Sequence, residues 1–160
     1  MKLPFAHILQ VSTFSILLSA CASQQPAFTE YVPGLGEIMA QTATRHLKLW
    51  YAGLAQNWPL AAYEIEELKE GFEDAGKFHP THKDIKQALP VLLTSYMEHP
   101  LEQLEQAIKE RNPDTFRKSY DTLTAGCNTC HQATGFGFNQ VKRPDFNPFT
   151  NQVFEIKTQN

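Results

Sequence analysis

Four apolar stripes at helical spacing, each closed off by a proline or a turn signal, dominate this 160-residue chain, and no alternating strand pattern competes with them. Leu35, Met39, Thr42, His46, Leu49/Trp50 and Gly53 place a first helix over about 35–57, and Asn57-Trp58-Pro59 ends it. Pro59 suits the first turn of a second helix, because its missing N–H would be unpaired there anyway. Ala61, Ile65, Leu68, Phe72 and Ala75 form the second stripe. Glu64, Glu66, Glu67, Lys69 and Glu70 mark its wet side. Gly76 reads as the residue that closes this helix, with a loop to Lys83 in which Thr81 and Asp84 can cap the third helix. Leu89, Leu92/Leu93, Tyr96, Leu101, Leu104 and Ile108 give that third helix, which Pro100 should kink or interrupt. Asn112-Pro113-Asp114 is a strong helix start, followed by Phe116, Tyr120, Leu123 and Cys127 on one face. Short connections between such helices make neighbours antiparallel, so the expected fold is all-α: an antiparallel four-helix bundle over 35–134.

Composition agrees with one such core. Hydrophobic residues make up 42% and charged residues 19%, and the net charge is −3 with no block of like charges. A phosphate-binding basic face is therefore not expected, and nucleic acid is set aside as a partner. Trp50, Tyr63, Phe72, Tyr96, Phe116 and Tyr120 read as core. His79, His82 and His99, in loops or beside prolines, read as exposed polar residues.

One motif carries chemistry. Cys127-Asn128-Thr129-Cys130-His131 has the spacing by which c-type haem is attached: two thiols add to the haem vinyl groups, and the adjacent imidazole ligates iron. On a helix Cys127 and His131 are i and i+4, so they share a face with Cys130 close by. From the chain's own cysteine and histidine counts the pattern would arise by accident about 2 times in 1,000. A disulfide, a thioredoxin-like redox pair and half of a zinc site remain open beside it. The redox pair wants a strand–helix context, zinc needs four ligands where there is no second Cys-x-x-Cys, and a disulfide leaves His131 unexplained.

The two ends of the chain read differently from the bundle. Met1-Lys2, the apolar run Ile8–Leu18 and the small residues before Cys21 read as a secretory signal over 1–20, too short for a membrane span of roughly 20 residues. Leu18-Ser19-Ala20-Cys21 resembles a bacterial lipobox, which makes Cys21 the expected lipidation site and 21–34 a polar tether. The expected location is the periplasmic side of a bacterial membrane, lipid-anchored at Cys21. At the other end, residues 135–160 alternate turn formers with aromatics in Gly135-Phe136-Gly137-Phe138 and Pro144-Asp145-Phe146-Asn147-Pro148-Phe149. This reads as an irregular extension packed on the bundle, with Lys142 and Arg143 able to pair haem propionates.

A four-helix bundle with Cys127-Asn128-Thr129-Cys130-His131 near the end of its fourth helix, preceded by Phe116 and Tyr120, resembles the class II cytochromes c, the cytochrome c′ and c556 group. The resemblance implies one haem c held by Cys127 and Cys130, with His131 as the proximal iron ligand. Members either fill the distal side with a methionine of the first helix and carry electrons, or leave it open and bind gases. They end soon after the motif, whereas 29 residues follow His131 here. Arg45 is the nearest match to the family's propionate-binding arginine. The resemblance also admits a homodimer through a bundle face.

The bundle itself serves as a ruler for the distal ligand. If Asn57 lies level with Pro113, then His131, 18 residues on, lies level with the residue 18 before Asn57, which is Met39. His46 is seven residues further, about 10 Å along the axis, and fits less well. The expected function is a periplasm-facing monohaem cytochrome that passes electrons to a protein redox partner, with no enzymatic step of its own. A gas-binding module (NO or CO) with a vacant distal side, and a non-haem zinc or disulfide interaction protein, are the alternatives.

Overall fold

The computed structural model describes residues 31–156. The signal and lipidation expectations, Cys21 included, and most of the tether lie outside that range. The described residues form four helices and no strand: α1 Leu35–Leu54, α2 Trp58–Phe78, α3 Leu89–Lys109 and α4 Pro113–Ala133, followed by an irregular segment over 134–156. They pack in a ring, α1 on α2, α2 on α3, α3 on α4 and α4 back on α1. None of them is long and apolar enough to cross a membrane.

The α1–α4 contact gives the direction and register of the ring. His46 meets Thr124 and Tyr120, Trp50 meets Tyr120 and Phe116, and Gly53 lies against Phe116. Moving up α1 therefore moves down α4, one turn for one turn, as antiparallel helices require. The larger core is built around Leu49, Trp50, Leu68, Leu104, Phe116 and Tyr120. A smaller cluster of Ile38, Ala75, Leu89 and Leu92 fills the end of the bundle where α1 and α3 begin and α2 and α4 finish.

The two tight corners use the same device. After α1, Gln56 N–H bonds Gly53 C=O and Asn57 N–H bonds Ala52 C=O. After α3, Arg111 N–H bonds Ile108 C=O and Asn112 N–H bonds Ala107 C=O. Both are Schellman turns, and each runs straight into an asparagine that caps the next helix. Asn57 accepts from Leu60 N–H, and Asn112 accepts from the N–H groups of Asp114 and Thr115.

Several local expectations are corrected. α1 ends at Leu54 rather than near 57, because the Schellman turn uses the last three residues. Gly76 does not close α2; it is buried inside the helix, where a Cβ would sit 3.4 Å from Pro90 Cγ of α3. The α3 cap is Ala88 with no side-chain bond, so Thr81 and Asp84 do not cap it. Pro100 does not interrupt α3. It withdraws the N–H that Tyr96 C=O would have received, and α4 comes close to that carbonyl at Gly126, where a Cβ would stand 2.7 Å from the oxygen. Glu64 is not on the wet side; it is 1% exposed and pairs with Arg45 at 3.2 Å. Tyr63 is half exposed rather than core, whereas His99, beside Pro100 on α3, is exposed as expected.

Gln56 and Arg111 hold the left-handed conformation, at φ 52° and 53°, which costs a non-glycine residue roughly 1 kcal/mol. Gln56→Gly and Arg111→Gly should each stabilise the protein by about 0.5–1 kcal/mol, read as a shift of the urea midpoint with unchanged slope. A loss of stability in both would mean that these corners are held by their side chains and not by backbone geometry.

Candidate functional site

The motif lies on the last two turns of α4, which runs unbroken from Pro113 through His131 to Ala133. Cys127 and Cys130 are free thiols, both half-buried. Cys127 packs on the larger core and Cys130 on the smaller one, so the two sulfurs stand at the junction of the two clusters. Met39, Leu93 and Tyr96 border both clusters and so line the same junction. Gly126, by letting α3 approach closely, sets this spacing one residue before Cys127.

Burial pushes the Cys127 thiol up to about 12, with a smaller contribution from Cys130 beside it, and burial also raises Cys130. A thiolate-using redox pair needs the opposite setting, in which positive charge or a helix N-terminus lowers the thiol pKa. Here the pair sits at a helix C-terminus. Among the described residues no group of three His, Cys, Asp or Glu side chains is arranged to hold a metal ion.

His131 is held by the chain that follows it. Gly135, at φ 83°, closes α4 with a third Schellman turn in which Phe136 N–H bonds His131 C=O at 2.7 Å. The chain then turns again, Asn139 N–H bonding Phe136 C=O, and Asn139 C=O comes back to His131 Nδ1 at 2.6 Å. A carbonyl can only accept, so Nδ1 carries a proton, and in the neutral imidazole the lone pair is then on Nε2. That is the tautomer of a metal-ligating histidine whose other nitrogen is fixed by a backbone carbonyl.

The register places Met39 opposite. His131 is seven residues beyond Thr124, two turns along the same face, and Thr124 faces His46 of α1. Seven residues back from His46 on α1 is Met39, which is half-buried on the smaller core. Met39 and His131 thus share one level of the bundle.

His46 itself is committed elsewhere. It is 4% exposed, its Nε2 bonds Thr124 Oγ1 at 2.9 Å, and its Nδ1 lies 2.9 Å from Tyr120 Oη. Thr124 donates its own proton to Tyr120 C=O, so its oxygen accepts from Nε2–H, and Nδ1 faces the Tyr120 hydroxyl, whose single proton is shared with His46 C=O at 2.9 Å. Burial holds the imidazole neutral, with its pKa lowered to about 4. Both ring nitrogens are occupied, which removes His46 as a ligand.

The other sequence candidates are also spoken for. Arg45 pairs with Glu64 and, at 2.7 Å, with Glu67, on the α1–α2 side. Lys142 pairs with Asp145, and Arg143 pairs with Asp121 while stacking 4.6 Å from the Trp50 ring. His79 bonds Pro33 C=O at 2.8 Å, and His82 lies between His79 and Phe136. Two residues with no sequence signal join the site: Asn128, whose amide bonds both the N–H and the C=O of Val141, and Asn139 through its carbonyl. A groove of about 540 Å³ beside Asn128, Gln132 and Asn139 includes neither cysteine and lies on the outer side of α4.

The donor set fits a c-type haem in three respects: two sulfurs at an apolar junction, an imidazole fixed in the ligating tautomer, and a thioether level with it on the facing helix. Comparison with known protein families, curated proteins and solved structures finds no match, so the fit stands on these residues alone.

The His46 site makes stability depend on pH. The folded protein refuses a proton that the unfolded chain accepts between about pH 6.5 and 4, so stability is lost as pH falls through that window, by on the order of 3 kcal/mol. Urea unfolding at pH 7 and pH 4.5 should show this loss in the parent protein and a smaller one in His46→Gln. Equal losses in both would contradict the assignment.

Proposed function

We propose that this protein is a monohaem c-type cytochrome that carries electrons at the periplasmic face of a bacterial membrane. The observation that carries the reading is His131, bonded through Nδ1 to Asn139 C=O at 2.6 Å with no hydrogen bond at Nε2 among the described residues, one residue from a thiol pair at the apolar junction. In this reading Cys127 and Cys130 form the two thioether bonds, His131 is the proximal ligand and Met39 the distal one. The haem iron supplies the one-electron chemistry, and the protein sets ligands, burial and hydrogen bonding. Leu93 and Tyr96, packed on the same apolar cluster as Cys130, would supply apolar surface to that edge of the haem. A protein redox partner receives the electron, and Cys21, through its lipid, keeps the bundle near the bilayer where such partners reside.

The spectrum of the purified protein tests the ligand set. The oxidised form should be low-spin with a methionine–iron charge-transfer band, and Met39→Ala should lose that band and become high-spin. A parent protein that is already high-spin and binds CO or NO at once would instead place it with the gas-binding alternative. Cys21→Ser should leave haem attachment intact and move the protein from the membrane to the soluble fraction. A variant that stays membrane-bound would overturn the anchor.

A further inference from the structure

The segment after α4 follows the α1–α4 seam from one end of the bundle towards the other. Asn139 meets His131, Val141 meets Asn128, Arg143 meets Asp121 and Trp50, Phe149 lies under Lys48, and Phe154 packs on Tyr51 while its carbonyl accepts from Asn57 at 2.9 Å. Phe154 is 3% exposed and belongs to the larger core. The segment is therefore anchored at its far end by burial and near its start by one amide. Asn128 Nδ2 donates to Val141 C=O at 2.8 Å, and Asn128 Oδ1 accepts from Val141 N–H at 2.7 Å. This paired bond is two residues from the carbonyl on His131 and is the nearest side-chain clamp that holds it there.

Resting on the haem reading above, we infer that the 134–156 strap is a positioning element for the iron ligand: Asn128, by clamping Val141, holds Asn139 C=O on His131 Nδ1 and so sets the donor strength of the imidazole. A carbonyl accepting from Nδ1–H pulls the proton away from the ring and makes Nε2 a stronger donor. A stronger donor favours the higher oxidation state of iron, so the strap lowers the reduction potential. Asn128 touches neither sulfur nor iron in this account. It acts through the backbone of Val141 and then through that of Asn139.

Two variants separate positioning from support. Asn128→Ala removes the clamp beside His131. Asn57→Ala removes the bond that ties the far end of the strap at Phe154, and it also loses a helix cap. Both should lower stability. Only Asn128→Ala should raise the potential, by roughly threefold in the one-electron equilibrium, about 30 mV. The parent protein supplies a readout that needs no variant. In the reduced protein under CO, ¹⁵N-histidine NMR should find His131 protonated at Nδ1 with that proton slow to exchange. A potential unchanged in Asn128→Ala despite covalent haem, an equal shift in Asn57→Ala, or a freely exchanging Nδ1 proton would each overturn the inference and leave the cytochrome reading standing. A parent protein without covalent haem would overturn both.

Discussion

A neutral imidazole buried between two helices fixes the register on which the rest of this bundle depends. His46 can be buried only because Thr124 and Tyr120 satisfy its two nitrogens. Sliding α1 by one turn against α4 would leave a buried ring with unpaired nitrogens, at a cost of about 1–3 kcal/mol for each orphaned group. The Tyr120 ring also stacks on His46 at 4.5 Å and borders Trp50 at 4.8 Å, so the polar contact is continuous with the core. With that register fixed, Met39 and His131 come to one level.

The other end of the site depends on a turn. The left-handed conformation at Gly135, which glycine adopts without steric cost, reverses the chain leaving α4 and returns Asn139 to His131. Three consecutive backbone devices depend on it: the Schellman closure on His131 C=O, the turn at Phe136 and the carbonyl on Nδ1. Beyond them the strap pairs its cations with acids of its own or of α4, Lys142 with Asp145 and Arg143 with Asp121. These cations balance local charge and are not left over for a ligand.

Much of this was legible in the residues. Helix number, helix type and the Asn57 and Asn112 caps follow from periodicity and from asparagine–proline chemistry, which are local signals. The antiparallel bundle follows from short connections, and the 39-to-131 alignment follows from rise per residue. Partner choice across space leaves no such local mark. Glu64 lies in an acidic run, and only the approach of Arg45 from α1 makes its burial tolerable. Gly76 and Pro100 carry ordinary stop signals that are overridden because each sits where a neighbouring helix packs closely. Asn139 acts through its backbone carbonyl, which every residue possesses, so no side-chain pattern could have marked it.

The central claim is that Cys127 and Cys130 are bonded to haem, and the mass of the intact protein tests it most directly. Protein made in a periplasm with haem-attachment machinery, denatured and treated with a thiol-alkylating reagent, should keep the added mass of one haem. It should take up no alkyl group at Cys127 or Cys130. A polypeptide without the haem mass, carrying two alkyl groups at those positions or a disulfide between them, would contradict the account.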